Sequence, residues 1–281
     1  MTQTVLITGC SSGLGKSTAR LFATKGWNVV ATMRRADRTL EHDHPDHLFV
    51  QEIDVTDDAS VAAAMSAGVD RFGGLDAIVN NAGISVLSMF EATPPEVVER
   101  IFQTNVFGAM RVTRAAIPHL RAQQGGAIVN VSSGAGIAAM PLLSAYCASK
   151  FALEGFAESL SYELASQDIR VKLVEPGAMR TTAFTANTMS SSQQVALPGE
   201  YKAYFDHMLA AMIDYPFAST EEAAVVEAVW SATNDRSPRL RYPVGPDVAE
   251  YTRLRWSTSE DGYQAEMARL TGHQAWLERR D

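Results

Sequence analysis

The sequence predicts an α/β fold in which a parallel sheet is covered by helices on both faces. Short runs rich in β-branched residues, among them Val5–Ile7 and Asn28–Met33, alternate with segments of helical spacing. These runs are largely apolar throughout, which is typical of strands buried on both faces of a sheet. Because parallel neighbours are joined by right-handed crossovers, usually through a helix, we expect a doubly wound sheet.

The elements follow one another from the first residues. Strands are expected at Val5–Ile7, Asn28–Met33, His47–Asp54, Leu75–Val79, Ala127–Val131, Arg170–Val174 and Arg239–Val244. Helices are expected at Ser17–Thr24, Val61–Phe72, Pro94–Gln123 with breaks, Ala145–Ser166, and from about Ser219 onwards. Apolar strands that alternate with helical segments in this way support the parallel arrangement.

The last third of the chain is less regular. Residues 183–216 join a strand to the helix near Ser219, and connections of this length are often lids or binding loops. A polar stretch, Met189–Gln194, lies inside this segment, and its serines, Ser190–Ser192, are expected to act as a mobile hinge. We therefore predict one α/β domain of residues 1–245, including a substrate loop at 183–216, and a helical extension of residues 246–281.

Composition excludes several classes of protein. Hydrophobic residues make up 46% and charged residues 20% of the 281 residues, which rules out collagen, coiled coils and wholesale disorder. Lys and Arg total 24 and Asp and Glu total 32, so the net charge of −8 disfavours a large nucleic-acid surface. No run approaches the roughly 18 apolar residues that would span a bilayer.

The N-terminus and the cysteines indicate the compartment. The first residues lack the basic and apolar regions of a secretory signal, so none is expected. Cys10 and Cys147 are interpreted as free thiols in a reducing environment, and we expect a cytoplasmic protein. His42, His44 and His47 lie in a polar loop with no Cys or Glu at a ligand spacing, so no metal site is predicted.

A glycine-rich loop, Thr8–Gly15, lies between the first strand and the first helix. Glycines allow a tight turn and a close approach of the backbone to a pyrophosphate, and the following helix offers free N–H groups and a positive dipole end. The loop therefore favours dinucleotide binding, although a plain strand–turn–helix junction would also use glycines. Its candidate contacts are Gly9, Ser11, Ser12, Gly13, Leu14 and Gly15.

Arginines follow the second strand. Proteins that prefer NAD usually carry an acid there, about 20 residues after the glycines, to bind the ribose 2′-hydroxyl. Here Met33 ends the strand and Arg34 and Arg35 follow, with Arg38 nearby. Because guanidinium groups pair with phosphate, we favour recognition of a 2′-phosphate over a solvated surface turn.

Polar residues follow the next two strands. Asp54 and Val55 come after the third strand, and Asn80 to Gly83 after the fourth. Ligands of open α/β sheets lie at this carboxyl edge, so Asp54 is a candidate to accept a hydrogen bond from an adenine amino group. Helix capping and a tight turn are the simpler alternatives for these residues.

Tyr146 and Lys150 form the most informative pair. They lie four residues apart at the start of a long predicted helix and therefore share one helix face. An ammonium near a phenol favours the phenolate and lowers a pKa that is ordinarily about 10. Ser132 and Ser133 end the preceding strand, so their hydroxyls are expected at the same edge of the sheet.

The combination of these motifs resembles the short-chain dehydrogenase/reductase family. The resemblance runs from Thr4 to about Thr182 and includes the glycine loop, Asp54–Val55, Asn80–Gly83, the Asn105 segment, Tyr146–Lys150 and Glu175–Thr181. It implies a Rossmann-type fold. A weaker similarity near Arg241 points to members related to hydroxysteroid and retinol dehydrogenases.

The resemblance also implies the roles of individual residues. The catalytic set would be Asn105, Ser133, Tyr146 and Lys150, with Ser133 preferred over Ser132 because the family's serine lies thirteen residues before its tyrosine. Cofactor contacts would add Arg34, Arg35, Asp54, Val55, Asn81, Ala82, Gly83, Pro176, Gly177 and Thr181 to the glycine loop, Tyr146 and Lys150. Homo-oligomers, dimeric or tetrameric, are expected by the same resemblance.

The expected function is NADP(H)-dependent interconversion of an alcohol and a ketone or aldehyde, with a bulky apolar substrate. Met, Tyr and Phe residues between Phe184 and Phe217 favour an apolar lid over simple core packing. One alternative is a reductase of 3-oxoacyl groups on an acidic carrier protein, which Arg111, Arg114 and Arg121 could dock. A dinucleotide-sensing regulator without turnover is less favoured, because both Tyr146 and Lys150 are present.

Overall fold

The computed structural model describes residues 2–180, 182–193 and 195–279. In these residues a parallel sheet has the strand order β3-β2-β1-β4-β5-β6-β7. Its strands are β1 (Thr4–Thr8), β2 (Asn28–Met33), β3 (Leu48–Glu52), β4 (Ala77–Asn80), β5 (Gly126–Val131), β6 (Ile169–Pro176) and β7 (Arg241–Val244). The order runs outward from β1 in both directions, so the predicted doubly wound Rossmann-type fold is confirmed.

Helices cover both faces of the sheet. They are α1 (Gly13–Thr24), α2 (Asp58–Phe72), α3 (Pro95–Phe102), α4 (Ala109–Ala122), α5 (Ser144–Leu164), α6 (Ala183–Ser192), α7 (Lys202–Ile213), α8 (Glu222–Asn234), α9 (Pro246–Ser257), α10 (Glu260–Leu270) and α11 (His273–Leu277). A π-helical turn, Gln103–Gly108, joins α3 to α4. We find no helix in the described ranges with the length and apolarity that a membrane crossing requires.

The strand pattern explains the two layers of core. Val5 and Ile7 of β1 pack with residues of α1 and α8, whereas Leu6 between them packs with residues of α2, α4 and α5. Side chains alternate across a strand, so an uninterrupted apolar run supplies both cores at once. This arrangement buries the sheet and leaves the carboxyl ends of its strands for the polar residues.

The segment 183–216 differs from the expected irregular loop, because most of it forms α6 and α7. The serines expected to form a hinge belong to α6, and Gln194 lies outside the described residues. The Ser192 hydroxyl donates to the Thr188 carbonyl at 2.7 Å and accepts from the Leu87 N–H at 2.8 Å. Hydroxyls that bond the carbonyl one turn back satisfy themselves within a helix, so a polar composition alone does not indicate a loop.

The C-terminal helices pack against the residues that follow β5. Val248, Tyr251 and Leu254 of α9 and Tyr263 of α10 lie in one apolar cluster with Ile137. Tyr251 is fully buried. The extension is therefore part of the packing that surrounds the carboxyl edge of β5, rather than a detached tail.

Candidate active site

Buried amides fix the carboxyl ends of the central strands. The Asn80 side-chain N–H group donates to Asn130 Oδ1 at 2.9 Å and to Thr113 Oγ1 at 3.0 Å. Asn80 on β4 and Asn130 on β5 are direct neighbours in the sheet. Both side chains are buried, where an unpaired amide would be costly, so the network holds β4, β5 and α4 in register.

The glycine loop is a close-packed backbone cradle. Gly9 and Gly13 have positive φ values of 76° and 51°, which side-chain-bearing residues rarely adopt. A Cβ on Gly15 would overlap the Gly9 carbonyl and the Asn81 side chain. Ser12 precedes α1 without a side-chain capping bond, and the first turn of α1 carries no acidic residue. The backbone N–H groups at this helix start suit an anion such as a pyrophosphate.

Asn81 supports this loop from β4. Its side-chain N–H group donates to the Thr8 carbonyl at 2.8 Å and to the Gly9 carbonyl at 3.3 Å. The Thr8 hydroxyl in turn accepts from the backbone N–H groups of Asn81 and Ala82, both at 3.0 Å. These bonds make Asn81 and Ala82 a brace behind the loop, a role that the sequence did not indicate.

The arginines after β2 lie exposed at the neighbouring edge. Arg34 and Arg35 follow the buried Met33, and within the described ranges neither forms an ion pair. Asp54 accepts from the Thr56 hydroxyl at 2.7 Å and from its N–H at 2.9 Å. These bonds, with smaller contributions from the charges of Arg34 and Arg111, lower the pKa of Asp54. The edge beyond β2 and β3 therefore carries fixed charges of both signs.

Tyr146, Ser133 and Lys150 meet at the start of α5. Tyr146 is buried in the first turn of this helix, and the Ser133 hydroxyl lies near the phenol, where it contributes to lowering the phenol's pKa. The Lys150 Nζ lies 5.8 Å from the centre of the Tyr146 ring. Ser132, by contrast, is buried and its hydroxyl turns toward Glu154. The two serine hydroxyls therefore face different neighbours, and Ser133 is the one on the side of Tyr146.

The pKa of Tyr146 is raised, not lowered as the sequence reasoning predicts. Burial raises it to about 12, and the nearby Ser133 hydroxyl only partly offsets that effect. The Lys150 ammonium, which donates to the Val131 carbonyl at 2.9 Å, does not offset the effect of burial on Tyr146. Tyr146 is consequently a protonated phenol across the neutral range, the form that can donate a proton.

The pKa of Lys150 shifts in the opposite direction, below its usual value. Burial lowers the pKa of its ammonium to about 8, and the nearby carboxylate of Glu154 opposes this shift. A buried ammonium is costly unless it has partners, and the Val131 carbonyl supplies one. The charge of Lys150 is therefore sensitive to modest changes in its surroundings.

Asn105 lies in the π-helical turn and forms three hydrogen bonds through its side chain. Its N–H group donates to the Ile84 carbonyl at 2.9 Å and to the Ser149 hydroxyl at 3.0 Å, while its Oδ1 accepts from the Ile84 N–H at 2.8 Å. A Cβ on Gly83 would lie 3.5 Å from Asn105 Oδ1 and 4.0 Å from Lys150 Nζ. Gly83, Asn105 and Lys150 thus share one narrow space. The π turn that places Asn105 has no sequence signal of its own, although such turns are frequent at functional sites.

The loop after β6 is held by residues that sequence reasoning missed. Asp247 at the start of α9 accepts from the Ala178 N–H at 2.8 Å, and the Thr220 N–H donates to the Ala178 carbonyl at 2.9 Å. A Cβ on Gly177 would overlap the side chains of Asp247 and Thr220. Thr181, another predicted cofactor contact, lies outside the described residues.

Comparison with known proteins decides the family. The family model described as short chain dehydrogenase matches residues 3–192 of the chain. The chain belongs to the short-chain dehydrogenase/reductase family. It is therefore an oxidoreductase of the class that acts on CH–OH groups of small molecules, and the resemblance seen in the sequence is confirmed.

Curated relatives of this short-chain dehydrogenase/reductase extend over most of its length. An uncharacterized oxidoreductase of Bacillus subtilis is 33% identical, covering 86% of this chain and 89% of that protein. Human retinol dehydrogenase 8 is 35% identical, covering 90% and 85%. A 3-ketodihydrosphingosine reductase of Bacteroides thetaiotaomicron is 34% identical, covering 75% and 74%.

Solved structures agree with the fold. A short-chain dehydrogenase from Streptomyces avermitilis is 29% identical with a TM-score of 0.79, covering 100% of this chain and 99% of that one. A 3-ketoacyl-(acyl-carrier-protein) reductase of Brucella melitensis in complex with NADH is 27% identical with a TM-score of 0.74, covering 88% and 98%. ElxO with NADP bound is 26% identical with a TM-score of 0.72, covering 86% and 98%.

The glycine cradle yields a first prediction. Gly15→Ala places a methyl group against the Gly9 carbonyl and Asn81, so the loop must open and binding of NADPH should weaken at least about tenfold. Gly155→Ala is the matched control, because a Cβ there meets nothing within 4 Å. Fluorescence titration of NADPH measures both variants. Native affinity in Gly15→Ala would contradict the cradle.

Proposed function

We propose that this protein is an NADP(H)-dependent oxidoreductase that interconverts an alcohol and a ketone or aldehyde on a bulky apolar substrate. The buried Tyr146 phenol, which lies near the Ser133 hydroxyl and close to Lys150, carries the proposal, because it is a candidate proton donor at the edge of the sheet. Consumption of NADPH with a panel of carbonyl compounds tests it. No consumption with any of them would contradict it.

The residues at the site divide the chemistry among them. A bound nicotinamide cofactor would supply or accept the hydride. Tyr146 would donate the proton to the substrate oxygen during reduction, and Ser133 would orient that oxygen by a hydrogen bond. The ammonium of Lys150 would stabilise the phenolate that Tyr146 becomes. Asn105 would hold a water between Lys150 and solvent, as the family resemblance implies.

The cradle and the neighbouring strand ends fit the rest of such a cofactor. Its pyrophosphate would lie on the backbone of Gly9–Gly15 at the start of α1, where a side chain would collide. Asp54 and Val55 would face the adenine, and Gly83 would lie beside the ribose. Pro176 and Gly177 would lie beside the nicotinamide, held by Asp247 and Thr220.

The proposed preference for NADP(H) depends on the end of β2. Solved relatives include one complex with NADH and one with NADP, so the family alone does not choose between them. In this chain Arg34 and Arg35 are exposed beyond Met33, with no carboxylate at the last strand position. Guanidinium groups there would attract a 2′-phosphate and give no advantage to the 2′-hydroxyl of NAD(H).

Arg34→Asp tests this preference. Loss of a charge-assisted pair worth about 1.5–3 kcal/mol should lower the ratio of kcat/KM for NADPH to kcat/KM for NADH at least about tenfold. Arg121→Asp, on the exposed part of α4, makes the same change of charge away from the site and should leave the ratio unchanged. A native enzyme that uses NADH as well as NADPH would contradict the assignment.

The proposed apolar substrate follows from the lid. Phe184 of α6 lies with its ring centre 5.8 Å from that of Tyr146 and is 38% exposed. Beyond it, Met208 of α7 packs with Leu87 and Leu142 in an apolar cluster that also includes Tyr204, Phe205 and Met212. The names of two relatives, retinol dehydrogenase 8 and 3-ketodihydrosphingosine reductase, denote large apolar substrates.

Phe184→Ala tests the lid. Removing a ring that packs on the substrate should raise KM for a bulky aryl ketone by about 5- to 30-fold, the equivalent of roughly 1–2 kcal/mol of apolar contact. Phe90→Ala is the matched control, because Phe90 is 61% exposed and lies outside the lid helices. Steady-state kinetics on matched large and small carbonyl compounds measures both. A higher kcat/KM for small polar substrates would contradict an apolar lid.

The two shifted pKa values predict the pH dependence of reduction. Tyr146 must be protonated, and the pKa of its phenol is about 12. Lys150 must be charged, and the pKa of its ammonium is about 8. Both conditions hold below pH 8, so kcat/KM for ketone reduction should fall as the pH rises through about 8. A rate that rises through this range would contradict the assigned roles.

The carrier-protein alternative has less support. Arg111, one of the arginines that could dock an acidic partner, is engaged with Asp58 at 3.4 Å and with Gln103 at 3.1 Å.

A homo-oligomer is part of the proposal, supported by apolar surface at Val98, Phe102 and Phe107 along α3 and the π turn. Phe107 is 45% exposed.

A further inference from the structure

Two buried carboxyl groups lie behind the candidate catalytic lysine. Glu154 of α5 is one helical turn after Lys150 and therefore on the same helix face. Glu175 of β6 lies on the face of the sheet that packs against α5, as Leu173 does two residues earlier. Glu154 is 6% exposed and Glu175 fully buried. Apolar side chains are expected at both positions, so the two acids are unusual here.

One guanidinium is shared between them. Arg241 Nε of β7 lies 3.1 Å from Glu154 Oε2 and 3.5 Å from Glu175 Oε1. Arg241 also donates through Nη2 to Glu158 Oε2 at 2.7 Å, but the Glu158 side chain is 46% exposed and partly solvated. A single cation cannot neutralise two buried carboxylates together with a third at the surface.

Few other groups face the pair. Glu154 is near the ammonium of Lys150 and the hydroxyl of Ser132. Glu175 is near Glu154 and, at longer range, the guanidinium of Arg239. In the part of the chain that the structure describes, Glu154 Oε1 and both Glu175 oxygens have no hydrogen-bond donor. A proton between the two carboxyl groups would pair two of these three oxygens and remove one of the charges.

We propose that Glu154 and Glu175 share one proton, and that the remaining negative charge keeps Lys150 in its ammonium form. Glu154 is then a positioning residue that acts through Lys150. This inference rests on the proposed function, because it assigns to Lys150 the charge that catalysis needs. Burial, followed by the charge of Glu154, raises the pKa of Glu175 to about 8, which agrees with a proton on Glu175 at neutral pH.

Replacing Glu154 and replacing Glu175 should have different effects on the protonation of Lys150. Glu154→Gln removes the charge that opposes the effect of burial on Lys150, so the ammonium should lose its proton at a lower pH. Glu175→Gln replaces a neutral acid with a neutral amide and leaves Glu154 charged. Lys150 should then keep its proton as in the native protein. If the two acids had only a structural role, the isosteric changes Glu154→Gln and Glu175→Gln would not differ in their effect on the pKa of Lys150.

The pH profile of kcat/KM for ketone reduction tests the proposal in three variants. In Glu154→Gln the decline should begin about one pH unit lower than in the native enzyme. Glu175→Gln should leave the midpoint in place. Glu158→Gln is the matched control, because it removes a carboxylate from the same Arg241 at the surface. A native midpoint in Glu154→Gln, or an equal shift in Glu158→Gln, would overturn the proposal.

Infrared spectroscopy tests the shared proton without turnover. The native protein at neutral pH should show the carbonyl stretch of a protonated carboxylic acid, and Glu175→Gln should lack it. A native spectrum without that band would overturn the proposal. This test remains available if the Glu154→Gln variant fails to fold, because it uses the native protein. A native protein that shows the band but reduces no carbonyl compound would contradict the proposed function and leave the shared proton supported.

Discussion

The hydrogen bond from the Lys150 ammonium to the Val131 carbonyl is the constraint on which the site depends. It places the buried ammonium at the end of β5, with Nζ 2.9 Å from the Val131 carbonyl oxygen. Because a buried ammonium must keep its partners, α5 is held against the carboxyl edge of the sheet. The same helix then fixes Tyr146 one turn before Lys150 and Glu154 one turn after it. Tyr146, the Lys150 ammonium and the Glu154 carboxyl group therefore follow one another along one face of α5.

Residues far apart in the chain complete this edge. Asp247 and Thr220, both late in the sequence, hold the loop after β6. Arg180 donates to the carbonyls of Tyr215 and Phe217 and so ties the end of the lid to the same loop. The C-terminal helices pack on the residues that follow β5. The extension and the end of the segment 183–216 therefore share supports with the candidate site.

The sequence predicted the parts of this structure that have local signals. Uninterrupted β-branched runs predicted the strands. The preference for Ser133 over Ser132 came from the family resemblance and stays a prediction. The sequence did not predict the helices of the lid, because serines that bond back to helix carbonyls look like loop residues. Nor did it predict the brace from Asn81 or the raised pKa of Tyr146, since burial and long-range contacts are set by the tertiary fold. The sequence does not mark Glu154 and Glu175 as unusual, because their burial follows only from the packing of β6, β7 and α5.

The central claim is that the buried phenol of Tyr146 donates the proton, and replacing that residue tests it most directly. Tyr146→Phe keeps the ring but removes the hydroxyl, so the Kd for NADPH should stay near the native value while kcat for ketone reduction falls by about 10²–10⁴. Tyr162→Phe, on the same helix but 75% exposed, should retain native kcat. A Tyr146→Phe variant with near-native kcat would contradict the account.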